Sequence, residues 1–130
     1  MDGDDITAPT TFQLTFQGDA GFQGPHGGQS ISVAVVRESD GVNVAEQSGT
    51  VSASADPAFS FTFAGALADG VAYQVHYWID SNFGGGTVGV CDATSTDHQW
   101  NVALGVVSGD VTMTEAHSGA TLTDVCSTFS

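Results

Sequence analysis

The stretches Phe59-Ser60-Phe61-Thr62-Phe63 and Tyr73-Gln74-Val75-His76-Tyr77-Trp78-Ile79-Asp80 decide the fold class. In both, apolar side chains recur at every second position, which suits a strand with one face buried. The same alternation runs outward on the N-terminal side. Phe12, Leu14 and Phe16 alternate with Thr11, Gln13, Thr15 and Gln17, and Ile31, Val33 and Val35 alternate with Ser30, Ser32 and Ala34. Segments 43–52, 99–106, 111–116 and 120–128 carry weaker versions of the pattern. No stretch holds a 3.6-residue period. The expectation is an all-β chain, an antiparallel β-sandwich of seven or eight strands.

Glycine and aspartate mark the connections. Ser39-Asp40-Gly41, Ser108-Gly109-Asp110 and His117-Ser118-Gly119 read as turns, and Asp69-Gly70 links two strands. Two connections are long. Gly18 to Gln29 holds five glycines and Pro25, and Ser81 to Asp97 holds Gly84-Gly85-Gly86. Ordered loops of that length are usually functional or tied down.

At 130 residues the chain fits one domain over 10–130, preceded by a polar lead-in at 1–9. Its charge is lopsided: fifteen Asp and Glu face a single cation, Arg37, for a net −14. Nucleic-acid binding and docking on anionic membrane both need a cationic footprint that this chain lacks. The absence of lysine excludes a P-loop and a Schiff base, and no apolar run is long enough to span a bilayer. Such acidity suits a secreted domain kept soluble by like-charge repulsion, or a halophilic one whose self-repulsion is screened by salt.

Met1-Asp2-Gly3-Asp4-Asp5 is not a signal peptide, so an exported form would have had its targeting segment removed. Cys91 and Cys126 suggest one disulfide in an oxidising compartment, extracellular or periplasmic, with two buried thiols as the alternative. A bridge closing that loop would stabilise by roughly 4 kcal/mol in the chain-entropy account.

Phe59 to Phe63, followed by Leu67-Ala68-Asp69-Gly70-Val71-Ala72-Tyr73-Gln74-Val75, resembles the prealbumin-like (transthyretin-like) and related immunoglobulin-like domains of bacterial exported proteins. The likeness covers residues 60–80 and extends loosely over 30–105. It implies a sandwich of seven or eight strands and no activity. Tyr73 also resembles a tyrosine corner, whereas the Trp buried between bridging cysteines in antibody domains has no counterpart here.

If successive strands reverse direction, their connections alternate between two poles. His26, His98 and His117 then fall in or beside connections at one pole, with His76 just below Asp80. Asp19, Asp56, Asp80, Asp92 and Asp97 join them. Imidazoles and carboxylates together suit Zn²⁺, Cu²⁺ or Ni²⁺. The expected site is His26, His98 and His117, with His76 or a carboxylate as a further ligand; the alternative is ordinary polar loop residues. The acidic surroundings are expected to concentrate cations and to keep the histidines protonated. No H-x-x-x-H or C-x-x-C spacing is present, nor the Cys-His-Met cluster of blue copper proteins.

A calcium reading competes. Asp80-Ser81-Asn82-Phe83-Gly84-Gly85 opens like a calcium loop, but its twelfth place is Cys91, so Asp92 or Asp97 would have to substitute for the usual glutamate. Trp78 and Trp100 are candidate sugar-stacking platforms. Catalysis finds little support: there is no G-x-S-x-G, and nothing selects a Ser-His-Asp triad or a carboxylate pair. The functional expectation is a secreted, non-catalytic binding module holding Cu²⁺ or Zn²⁺ at one pole. The runner-up is a Ca²⁺-stabilised carbohydrate-binding or adhesive surface domain, with polysaccharide or another cell-surface protein as partner.

Overall fold

A computed structural model describes residues 10–119 and 122–129. Seven strands form two sheets. They are β1 (Thr11–Gly18), β2 (Ser30–Arg37), β3 (Asn43–Thr50), β4 (Phe59–Ala68), β5 (Ala72–Ile79), β6 (His98–Val106) and β7 (Val111–Glu115). One sheet has the order β4-β1-β7 and the other β3-β2-β5-β6. All pairings are antiparallel except β1 with β7. The all-β sandwich read from the alternation is therefore what the chain forms.

The alternating residues meet between the sheets. Leu14 and Phe16 of β1, Val33 and Val35 of β2, Phe59, Phe61 and Phe63 of β4, and Val75 and Tyr77 of β5 are all buried in one core. Tyr77 lies against Phe16 edge to face and stacks on Trp100, with ring centres 5.0 and 4.7 Å apart. Gly18 is required where β1 leaves the sheet, because a Cβ there would sit 2.2 Å from the Phe59 ring.

Two boundaries differ from expectation, each for a local reason. β4 continues through Ala68, past the alternating run Phe59 to Phe63, because Gly65, at φ 66°, absorbs a bulge and lets Leu67 rejoin the pairing with Phe12. Tyr73 closes that corner: its hydroxyl accepts from the Ala68 N–H at 2.8 Å. The eighth strand expected at 120–128 does not form among the described residues, and Ala120 and Thr121 lie outside them. The tail is held by a single backbone bond, Thr123 N–H to Gln99 O at 2.9 Å, and by side chains instead of a ladder. Gln99 Oε1 accepts from Val125 N–H at 2.7 Å, and Cys126 is bonded to Cys91. The tail then makes a 3-10 turn, Cys126–Phe129, over the outer face of β5.

Candidate metal centre

His26 closes a short helix, α1 (Gln23–His26), in the first long connection. Asp19 starts the preceding 3-10 turn by accepting from Gly21 N–H at 2.9 Å, and that turn buries Phe22 in the core. Gly28 N–H donates to Val51 O and Val51 N–H to Gln29 O, which ties the loop to the segment after β3. His26 is left fully buried.

His98 begins β6 opposite Ile79. It shares a strand face with Trp100, two residues on. Trp100 Nε1–H donates to Ser118 O at 2.9 Å and so pins the segment that follows β7, where His117 lies. Three connections remote in sequence thus deliver three imidazoles to one end of the sandwich.

Their ring nitrogens converge. His26 Nε2 lies 2.9 Å from His98 Nδ1 and 3.1 Å from His117 Nε2, and the last two are 3.4 Å apart. The circle through these atoms has a radius of about 1.8 Å, inside the ordinary Zn–N distance of about 2.0–2.1 Å, so one ion could reach all three nitrogens. Hydrogen bonds alone serve this triangle poorly. Each nitrogen presents either a hydrogen or a lone pair. Three mutually adjacent atoms cannot alternate, so every protonation pattern leaves at least one contact between like ends. A cation drawing on three lone pairs removes that conflict.

His26 is already set for this role. Its Nδ1–H donates to Gln29 Oε1 at 2.7 Å, and the Gln29 amide nitrogen donates to Pro25 O at 3.3 Å, which fixes the amide's orientation. The lone pair of the neutral ring is then on Nε2, facing the other two histidines. Phe22, Trp100 and Phe83 wall the cluster. Burial among these rings lowers the His26 pKa to about 4, against the Gln29 bond and with help from repulsion by His98 and His117. Burial also lowers His98 and His117, with Asp97 and Asp19 respectively pulling the other way. The acidic surroundings therefore do not keep these rings protonated, contrary to expectation: desolvation outweighs the long-range field, and neutral imidazole is the form that ligates.

The other expected ligands lie elsewhere or are otherwise engaged. His76 faces away on β5, with Nδ1 2.6 Å from Thr128 Oγ1 and Nε2 3.1 Å from Gln74 Oε1. Asp97 is fully buried and holds the long loop, accepting from Asn82 N–H at 3.0 Å and Asp92 N–H at 2.8 Å. Asp92 accepts from Thr87 N–H and Asp80 from Gly89 N–H. Asp80 Oδ1 and Asn82 Oδ1 are buried without a hydrogen-bond partner. These carboxylates are the loop's internal scaffold. Trp78 and Trp100 are not exposed stacking platforms: Trp100 is in the core, and Trp78 lies under the tail beside Phe129.

The expected disulfide is formed between Cys91 and Cys126, anchoring the long loop to the tail. No helix of the described residues is long and apolar enough to cross a membrane. Sequence reasoning missed Gln29 and Ser81. Gln29 sits three residues after His26, a spacing that carries a signal only once the helical turn is known. Ser81 Oγ accepts from His98 N–H at 3.3 Å and donates to Ile79 O at 3.0 Å, fixing the start of β6. Comparison with protein-family models, with curated proteins and with solved structures finds no match for this chain.

Proposed function

We propose that this protein is an exported metal-binding module whose β-sandwich holds one divalent transition ion, Cu²⁺ or Zn²⁺, on His26, His98 and His117. The observation that carries the reading is the triangle of ring nitrogens 2.9, 3.1 and 3.4 Å apart. Purely imidazole donors favour these ions over Ca²⁺ or Mg²⁺, which prefer oxygen. Export is supported by the disulfide and by the acidic, lysine-free composition. For the scaffold we retain the prealbumin-like kinship over the immunoglobulin-like one. Here the second, third, fifth and sixth strands share one sheet, whereas constant-type immunoglobulin domains divide the equivalent strands between two. The carbohydrate-binding alternative loses its support with the burial of both tryptophans.

Elemental analysis of the purified protein, before and after chelation and reloading, tests the reading. Roughly one Cu or Zn per chain is expected, lost on chelation and regained on reloading. Failure to take up either ion from a stoichiometric solution removes it.

A further inference from the structure

The three ring nitrogens would fill three coordination positions of a bound ion, one fewer than a four-coordinate site needs. Among the described residues, no fourth His, Cys, Asp or Glu joins the group. Two of the nearby polar side chains are engaged elsewhere. Ser81 Oγ donates to Ile79 O and lies 3.5 Å from His26 Nδ1, the nitrogen turned away from the cluster. Asp97, adjacent to His98 in sequence, has both carboxylate oxygens on backbone N–H groups. Closed structural zinc sites use four protein ligands, whereas sites with three protein ligands keep a position for solvent or substrate.

The surroundings give that position a way in. His26 is fully buried, but His98 and His117 are only half-buried. Phe83, 41% exposed, lies with its ring centre 4.8 Å from that of His98 and 5.9 Å from that of His26. Gly84, Gly85 and Gly86 follow it, all at positive φ. Phe22 and Trp100, which also pack on the histidines, are buried aromatic rings that supply no donor atom to an ion.

From this arrangement, and resting on the metal-centre reading above, we infer that the bound ion keeps one position for an exogenous monodentate ligand: water, or a small monoanion that displaces it. The net charge of −14 with one cationic side chain selects against multiply charged anions, whose approach the whole molecule opposes. This is the coordination plan of a reactive or ligand-sensing centre rather than of a structural staple.

The test uses the full chain loaded with Co²⁺, whose visible bands report coordination, in chloride-free buffer. Titration with azide is expected to shift those bands saturably, with one azide per cobalt. Stoichiometric cobalt whose spectrum is indifferent to both azide and thiocyanate would show the position closed by a protein donor; it would overturn this inference and leave the metal centre standing. Absence of copper, zinc and cobalt uptake alike would remove both.

Discussion

The Nδ1–H of His26 donates to Gln29 Oε1 over 2.7 Å, and that bond decides which nitrogen of His26 meets His98 and His117. Without it, the buried ring could place its hydrogen on Nε2, in the middle of the cluster. Gln29→Leu removes the acceptor while keeping the bulk. Metal affinity is expected to fall roughly 10- to 100-fold, the usual effect of losing an orienting partner of a ligating histidine. Gln29→Glu, which restores an acceptor, is expected to recover most of it. Competition against a chelator of known affinity measures both, and equal affinity for wild type and Gln29→Leu would count against the orienting role.

The four histidines divide into three and one. His98 and His117 are half-buried, so alanine at either leaves no large cavity. Each single variant is expected to keep its fold, by circular dichroism, and to bind Cu²⁺ or Zn²⁺ at least about 100-fold more weakly, beyond what an outer-shell change produces. His76→Ala is the control. His76 contacts Thr128 and Gln74 on the outer face of β5, so its loss is expected to leave affinity unchanged. Equal weakening in all three variants would mean that the effect is general destabilisation.

Burial lowers the pKa of all three clustered histidines, with His26 reaching about 4. In the unfolded chain histidines titrate near 6.5. Between these values the unfolded state binds more protons, so stability is full above about pH 6.5 and declines as pH falls toward about 4. Glu115 works in the opposite sense, because burial raises its pKa and favours folding on the acid side. Melting of metal-free protein from neutral to acid pH is expected to show the decline. The difference between wild type and a His98→Ala/His117→Ala variant isolates the histidine contribution, and parallel pH profiles for the two would contradict it.

The sandwich was legible in the sequence because period-two alternation is a local property, and Phe59 to Phe63 or Tyr73 to Ile79 need no distant partner to display it. That His26, His98 and His117 share one pole was also legible, since it follows from direction reversal; their contact depends on the loop bonds at Val51 and Ser118. The rest depends on side-chain competition that no period records. Asp80, Asp92 and Asp97 look like cation ligands, but backbone N–H groups of the loop bond to both oxygens of Asp97 and to one each of Asp80 and Asp92. His76 lies near the same pole, but strand parity puts it on the outer face, away from the core-facing Val75 and Tyr77. Trp78 has an outward parity that predicts exposure, but the tail, held by Cys126 and Gln99, brings Phe129 beside it, and Gly89 and Val90 of the long loop line the same hollow.

The Tyr73 hydroxyl accepts from Ala68 N–H at the corner between β4 and β5, at the end of β5 away from Ile79 and the metal centre. Tyr73 is only 3% exposed, so Tyr73→Phe leaves a buried N–H without its partner. The expected loss is about 1–3 kcal/mol in denaturant unfolding. Metal affinity is expected to be unchanged, which makes this variant the reference for destabilisation without damage to the site. A matching drop in affinity would mean that the two ends of the sandwich are coupled.

Net charge and site occupancy act on stability in ways that can be separated. With a charge of −14 and its single cation paired to Asp40 in a turn, the folded chain repels itself. Sodium chloride at hundreds of millimolar shortens the screening distance to a few ångströms and is expected to raise the melting temperature progressively. An ion in the histidine site acts by mass action instead, contributing about 2.7 kcal/mol at a hundredfold excess over its dissociation constant. Micromolar Zn²⁺ or Cu²⁺ is therefore expected to raise the melting temperature at fixed ionic strength, with reversal by chelator. His98→Ala should abolish the second effect and keep the first. A melting temperature flat in salt would refute the repulsion argument. A zinc response that survives His98→Ala would place the ion on the carboxylates instead of the imidazoles.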